Sequence, residues 1–247
     1  MISAVIITKN EAKNISRCLD SLSWVDEIII VDSGSTDETI NISASYKCKI
    51  IKTAWLGFGE TKNLGVSSAL NDWILSIDAD EIVSENLSKK IRKIIKSSKF
   101  DGYKIRRVSY YLGKPMRYGS WRNDYPLRLF NKKKGKFNKK KVHESVQVNS
   151  KKTSLLEEEI IHYSINSIKD HISKINLYTD LNVVEKKPFK KFYTSILFAL
   201  LSGLVKFLRD YILKVGFLDG KRGFILALIS SFGNTIKYLK IWEEISK

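Results

Sequence analysis

Three short polar clusters each follow an apolar run: Thr8-Lys9-Asn10-Glu11, Asp32-Ser33-Gly34-Ser35-Thr36-Asp37 and Asp78-Ala79-Asp80-Glu81. In the last, two carboxylates one residue apart offer hard oxygen ligands of the kind Mg²⁺ or Mn²⁺ takes when it bridges to phosphates. A cation held there would act as a Lewis acid toward a diphosphate leaving group. Each cluster also has a plainer explanation, with Asp37 as an early-helix acid, Ser35 as an N-cap and Asp-x-Asp as a solvated strand end. A fourth segment, Gly57-Phe-Gly59-Glu-Thr-Lys62-Asn63-Leu-Gly65, is a small-residue turn entering a helix, with Lys62 placed to reach a phosphate. No P-loop and no Gly-x-Gly-x-x-Gly follows the first apolar run, so ATPase and dinucleotide-binding chemistry lose their main support.

The elements that must position these clusters alternate. Strands are expected at residues 3–8, 27–32, 48–53 and 73–78, and helices at 10–22, 36–45 and 60–70. Continuous apolar strands separated by helices make a parallel sheet covered on both faces, and ligands of such a sheet lie beyond the C-terminal strand ends. All three acidic or polar clusters sit at such ends. From 101 to 148 the pattern turns to strands, with YPLRLF and KVHESVQV expected to pair as a hairpin across residues 131–141. After 165 the chain reads as helices at 167–184, 189–213 and 220–245. The expected organisation is therefore 1–100 as one half of an α/β domain, 101–165 as its other half, and 166–247 as a helical extension.

Charge divides the same way. The 247 residues carry 43 Lys+Arg against 26 Asp+Glu, a formal +17, and the whole excess lies after residue 100. The first part is a neutral core, the second a surface suited to an anionic partner, although lysine far exceeds arginine and part of that excess matches simple compositional drift. At 43% hydrophobic and 11% aromatic, the composition excludes disordered and low-complexity classes. Two cysteines are too few for a disulfide framework, and the N-terminal apolar run lacks a basic leader, so a cytoplasmic location is expected. The longest uncharged runs, 192–205 and 223–236, fall short of the roughly twenty residues a membrane span needs. Around 192–213, Phe192, Ile196, Leu200, Leu204, Phe207 and Tyr211 share one side and Lys206, Arg209, Asp210 and Lys214 another. That helix either packs on its neighbours or lies on a membrane surface.

Taken in order and spacing, Ile-Ile-Thr-Lys-Asn-Glu, Val-Asp-Ser-Gly-Ser-Thr-Asp, Lys62-Asn63-Leu-Gly and Asp-Ala-Asp-Glu resemble the family 2 glycosyltransferases of GT-A fold. The resemblance implies an α/β fold of GT-A type, a Rossmann-like nucleotide-diphospho-sugar transferase with a mixed sheet, here carrying a C-terminal helical extension. It implies that Thr8, Asn10, Glu11, Asp32, Ser33, Gly34 and Lys62 hold a nucleotide-sugar, and that Asp78 contacts ribose or metal. Asp80 would be the principal ligand of Mg²⁺ or Mn²⁺. The family transfers sugar with inversion, using one carboxylate base. Further on, Tyr118-Gly-Ser-Trp-Arg122-Asn-Asp124-Tyr-Pro-Leu-Arg128-Leu-Phe, Val142-His143-Glu144 and Ile161-His162-Tyr163-Ser are similar to a bacterial subgroup that includes lipopolysaccharide inner-core glucosyltransferases.

That subgroup implies UDP-glucose as donor and a lipid-linked or phosphorylated glycan as acceptor, at the cytoplasmic face of an inner membrane with anionic lipid nearby. The usual Glu-Asp base pair of the family is missing. Glu144, beside His143, is the first candidate for the base, and Asp124, flanked by Arg122 and Arg128, the second. His143 is a candidate third metal ligand as well as an ordinary strand histidine, and His162 and His171 are expected to be structural. Arg106, Trp121, Arg122 and Arg128 are candidate acceptor contacts. The Lys132–Lys141 turn and the Arg106-Arg107 pair suit a phosphate or anionic headgroups. Three rivals stay open: a polyprenyl-phosphate transferase of the same fold, a catalytically dead nucleotide-sugar binder, and a basic nucleic-acid-binding protein. The acidic strand ends oppose the last, so no nucleic acid partner is expected.

Overall fold

The computed structural model describes residues 1–138, 144–185 and 195–246. The chain forms two compact units, Met1–Val108 with Asn123–His162, and Ser109–Arg122 with Tyr163–Lys247. The first unit opens with β1 (Ile2–Thr8), α1 (Ile15–Asp20), β2 (Glu27–Asp32), α2 (Thr39–Ser45) and β3 (Lys49–Lys52). It continues with α3 (Phe58–Ser67), β4 (Trp73–Asp78), β5 (Glu81–Val83) and α4 (Glu85–Ile94). β6 (Gly102–Tyr111) runs on into the second unit, where β7 (Lys114–Pro115) lies, and β8 (Leu127–Asn131), β9 (Lys136–Phe137) and β10 (Val146–Gln147) return to the first. β11 (Thr153–Ile165) leaves it again, followed by α5 (Ile168–Glu185), α6 (Ile196–Leu208) and α7 (Gly220–Ser246).

Among the described residues the main sheet runs β3-β2-β1-β4-β8-β6-β11-β5, with β7 beside β6. β1 is parallel to β2 and β4, and β2 to β3, as the continuous apolar runs dictate. β8 is antiparallel to both β4 and β6, which makes the sheet mixed. Among the described residues, the expected hairpin between 125–130 and 141–148 is not formed. β8 spends its edges on β4 and β6, and β10 pairs with β9 instead, Val146 opposite Phe137. The Lys139–Lys141 part of the basic turn and His143 lie outside the described residues.

The core follows from strand alternation. Ile2, Ala4 and Ile6 face one side, where Ile15, Cys18 and Leu19 of α1 and Leu87 and Ile91 of α4 cover them. Val5, Ile29, Val31 and Ile74 face the other, against Val66 of α3 and Phe130. Gly65 lets α3 come close, since a Cβ there would stand 2.4 Å from Val5 Cγ1 and 2.9 Å from Val31 Cγ2. Ser84 caps α4 by accepting from Leu87 N at 3.3 Å.

The second unit is helical apart from the strand ends it receives. α6 packs along α7, and α5 along α7. Tyr111 and His171 meet edge to face at 5.4 Å, with the phenol 3.0 Å from Nδ1. Burial lowers His171 to about 4, so the ring is neutral, and the phenol and Nδ1 share one hydrogen bond. Asp219 accepts from the backbone N–H groups of Arg117 and Tyr118 at 3.2 and 3.0 Å, and this fixes the loop that carries Trp121 and Arg122. Trp121 stacks edge to face on Tyr111 at 5.9 Å. No described helix is long and apolar enough to cross a membrane.

Candidate active site

The first unit brings the polar clusters together at the C-terminal ends of β1, β2 and β4, and the loops after β1 and β2 are zipped to one another. Asn10, in the left-handed region at φ 58°, donates its backbone N–H to Ser35 Oγ (2.9 Å) and accepts from Thr36 N (2.8 Å). Ala12 N donates to Asp37, and Glu11 N to Thr39 Oγ1 at 2.7 Å. Asp32 is buried and organises its own turn, accepting from Gly34 N, Ser35 N and Thr8 Oγ1 at 3.0, 2.9 and 3.2 Å. Gly34 supplies the positive φ that turn needs, 88°. Next to it, Ser33 Oγ is buried without a hydrogen-bond partner among the described residues.

Beyond β4, seven side chains form an alternating chain of charge. Glu144 meets Lys62 at 2.7 Å, and Lys62 meets Asp78 at 2.9 Å. The other oxygen of Asp78 pairs with Arg128, which also reaches Glu81 at 2.5 Å. Glu81 receives Arg107 at 3.1 Å, and Arg107 holds Asp124 at 2.7 Å. Lys62, Arg128 and Glu81 are buried, so each ion is stable there only because its partners are present. Burial alone would raise the Asp78 carboxyl, but Arg128 and Lys62 outweigh it and hold it well below the usual carboxylate range. Burial likewise works against the Arg128 charge, and Asp78 and Glu81 more than restore it, raising its pKa. Glu81 also accepts from Asp78 N at 2.9 Å, which ties the acidic turn to itself.

α3 carries the Glu144 end of this chain. Asn63 clamps the backbone of Phe137, accepting from its N–H at 2.9 Å and donating to its carbonyl at 3.0 Å. Gly59 lies so close to the next residue that a Cβ would fall 2.0 Å from Asn138 O and 3.7 Å from Glu144 Cβ. The Gly59, Lys62, Asn63 and Gly65 spacing is therefore the signature of a helix that touches the sheet on one side and the Glu144 segment on another.

Asp80 stands apart from the network. Its Oδ2 lies 3.3 Å from His162 Nε2, because β11 pairs antiparallel with β5 and sets His162 opposite Glu81. The sequence pointed to a structural role for His162; the strand register, which no local pattern reveals, puts it beside the acidic turn. Donors 3.3 Å apart can both reach one cation at about 2.1 Å, and of the two the carboxylate is the hard oxygen ligand that Mg²⁺ or Mn²⁺ takes. Among the described residues no group of three such side chains gathers.

The remaining candidates are placed as follows. The arginine that holds Asp124 is Arg107, where the sequence pointed to Arg122 and Arg128. Arg128 is inside the network. Arg106 pairs with Glu159 at 3.5 Å. Trp121 and Arg122 belong to the second unit.

The family model described as glycosyl transferase family 2 matches residues 3–169. An uncharacterized glycosyltransferase of Rickettsia felis is 34% identical over 267 positions, covering all of this chain and 91% of its own. The lipopolysaccharide core biosynthesis glycosyltransferase LpsC of Rhizobium meliloti is 27% identical, covering 98% of this chain and 92% of its own. Among solved structures, residues 1–349 of S. aureus TarS match with a TM-score of 0.51 at 14% identity, over 99% of this chain and 91% of that one. That likeness is one of fold, and the α/β mixed sheet followed by C-terminal helices is of the GT-A type.

Proposed function

The chain belongs to glycosyl transferase family 2 and is a glycosyltransferase, and from that premise we propose that it moves a hexose, with inversion, from a uridine diphosphate sugar such as UDP-glucose to a lipid-linked glycan. The observation that carries the reading is the division of labour in the acidic turn: Asp78 is consumed by Lys62 and Arg128, whereas Asp80 faces His162. The kinship with LpsC supports a glycan of the lipopolysaccharide core class as acceptor.

The zipped loops after β1 and β2 hold the nucleoside, with Asn10, Asp32 and the Ser33 hydroxyl, which has no partner among the described residues, lining that end. Asp80 and His162 would hold the divalent cation, which when bound neutralises charge on the departing diphosphate. Lys62 sits between Asp78 and Glu144, the one ammonium in the network able to turn from a carboxylate toward a phosphate oxygen. Glu144 is the base. Its carboxylate takes the acceptor hydroxyl proton as that oxygen bonds to the anomeric carbon and the bond to the diphosphate breaks. Asp124, fixed by Arg107, positions that arginine on Glu81.

Glu144→Gln tests this assignment. Release of UDP in the presence of acceptor should fall at least a hundredfold while UDP affinity stays within about threefold of wild type. Unchanged turnover would remove Glu144 from the chemistry and turn attention to Asp124.

A further inference from the structure

α6 is inside out. Its small residues are buried, Ala199 at 1% exposure and Gly203 against Thr235, where a Cβ would fall 2.1 Å from the hydroxyl. Its polar residues point inward too: Asn234 of α7 donates to Ser202 O at 3.1 Å and to Ser202 Oγ at 3.2 Å, and Lys206 pairs with the buried Asp210 at 2.9 Å. Phe198 and Phe207 pack on Tyr238 and Phe224 of α7, but the leucines face outward. Leu197, Leu200, Leu201, Leu204 and Val205 are 50–64% exposed, and Leu213, in the π-helical turn that continues α6 over Arg209–Leu213, reaches 78%. Water would select the opposite arrangement, because burial of leucine rather than serine drives helix packing there. Small residues and hydrogen bonds between helices, with leucines outside, is the packing selected when the surroundings are hydrocarbon.

Charge indicates which apolar partner fits. Between residues 195 and 222 the bases are Lys206, Arg209, Lys214, Lys221 and Arg222, and the acids only Asp210 and Asp219. Both acids are turned inward, Asp210 onto Lys206 and Arg209, Asp219 onto backbone N–H groups. Arg209 and Lys214 keep nearly half of their side chains exposed. In sequence, Lys186, Lys187, Lys190 and Lys191 precede the helix. A second copy of the chain would set one basic rim against another, whereas an anionic lipid surface complements it. The 13 residues of α6 extend about 20 Å, too short to cross a bilayer and long enough to lie in its surface.

We propose that the outward face of α6, with the turn that follows it, docks in the plane of an anionic lipid bilayer. Docking would serve the lipid-linked acceptor proposed above, but the surface is read from the second unit alone and stands or falls separately. The test is flotation of the full chain with vesicles of phosphatidylcholine, with and without 30% phosphatidylglycerol, at two salt concentrations, in the absence of nucleotide and acceptor. Wild type should float with the anionic vesicles, more weakly at high salt, and Leu197→Glu/Leu201→Glu/Leu204→Glu should lose at least tenfold in partition while binding UDP as wild type does. A single Leu204→Trp variant serves where the triple variant does not fold: bromine-labelled acyl chains should quench its fluorescence clearly more than that of wild type, whose five tryptophans set the background. Flotation that the glutamates leave unchanged, a tryptophan that bromolipids do not quench, or a wild-type dimer that the glutamates split would each overturn the proposal.

Discussion

Lys62 and Glu144, 82 positions apart in the chain, meet at 2.7 Å, and the same ammonium lies 2.9 Å from Asp78. A buried lysine between two carboxylates links the helix that follows β3 to the end of β4 and to the segment that carries the proposed base. Removing its charge takes from Glu144 its ion-pair partner among the described residues and leaves Asp78 paired with Arg128. Lys62→Met should therefore cost about 3 kcal/mol of stability, the scale for breaking a buried ion pair. Urea unfolding of Lys62→Met, Glu144→Gln and the double variant measures it. The double variant should lose clearly less than the two single losses together, and strict additivity would show that the pair is not coupled.

Two glycines of α3 should separate packing from positioning. At Gly65 a methyl group meets valine side chains at 2.4 and 2.9 Å, so Gly65→Ala should lower stability by about 1–3 kcal/mol and leave turnover per folded molecule nearly unchanged. At Gly59 it meets the backbone carbonyl of Asn138, beside Glu144. Gly59→Ala should reduce kcat of the folded protein at least tenfold, in addition to its loss of Tm. Melting curves paired with steady-state rates at saturating donor distinguish the two.

Much of this was legible in the sequence because it is local. Apolar runs with polar ends gave β1, β2 and β4, and the Asp78-Ala79-Asp80-Glu81 turn follows β4 directly. What escaped is long-range register. His162 reaches Asp80 only through the antiparallel pairing of β11 with β5, and Arg107, not Arg122 or Arg128, holds Asp124 because β6 runs beside that segment, Arg107 N donating to Asp124 O at 2.8 Å. The missing hairpin has the same cause, since β8 finds β4 and β6 at greater sequence distance. The amphipathic reading of 192–213 found the charged positions but not which side the fold would bury, a choice that tertiary packing makes.

The second unit should respond to mild acid. His171 is held neutral at about 4 by burial, below the ordinary 6.5, so the unfolded chain takes up the proton first as pH falls. The contribution of His171 to stability is complete above pH 6.5 and is lost progressively as pH falls toward 4. Asp210 acts lower down. Burial opposes its ionisation, yet bonds from Arg209, Ser120 and Lys206 bring it to about 2, so its contribution holds above 3.8 and fades below. Urea unfolding at pH 7, 5.5 and 4.5 should show the decline in wild type and a flatter profile in His171→Gln. A parallel decline in both proteins would assign the acid sensitivity elsewhere.

Asp80 and His162 are proposed to make together a nucleotide-dependent metal site. Calorimetric titration of UDP, GDP and ADP with and without Mn²⁺, on wild type, Asp80→Asn, His162→Ala and Asp124→Asn, tests it most directly. Mn²⁺ should strengthen binding of UDP by wild type and Asp124→Asn, with at least a tenfold loss of that strengthening in Asp80→Asn and in His162→Ala. Equal Mn²⁺-dependent affinity in all four proteins, or no binding of any nucleotide by wild type, would contradict it.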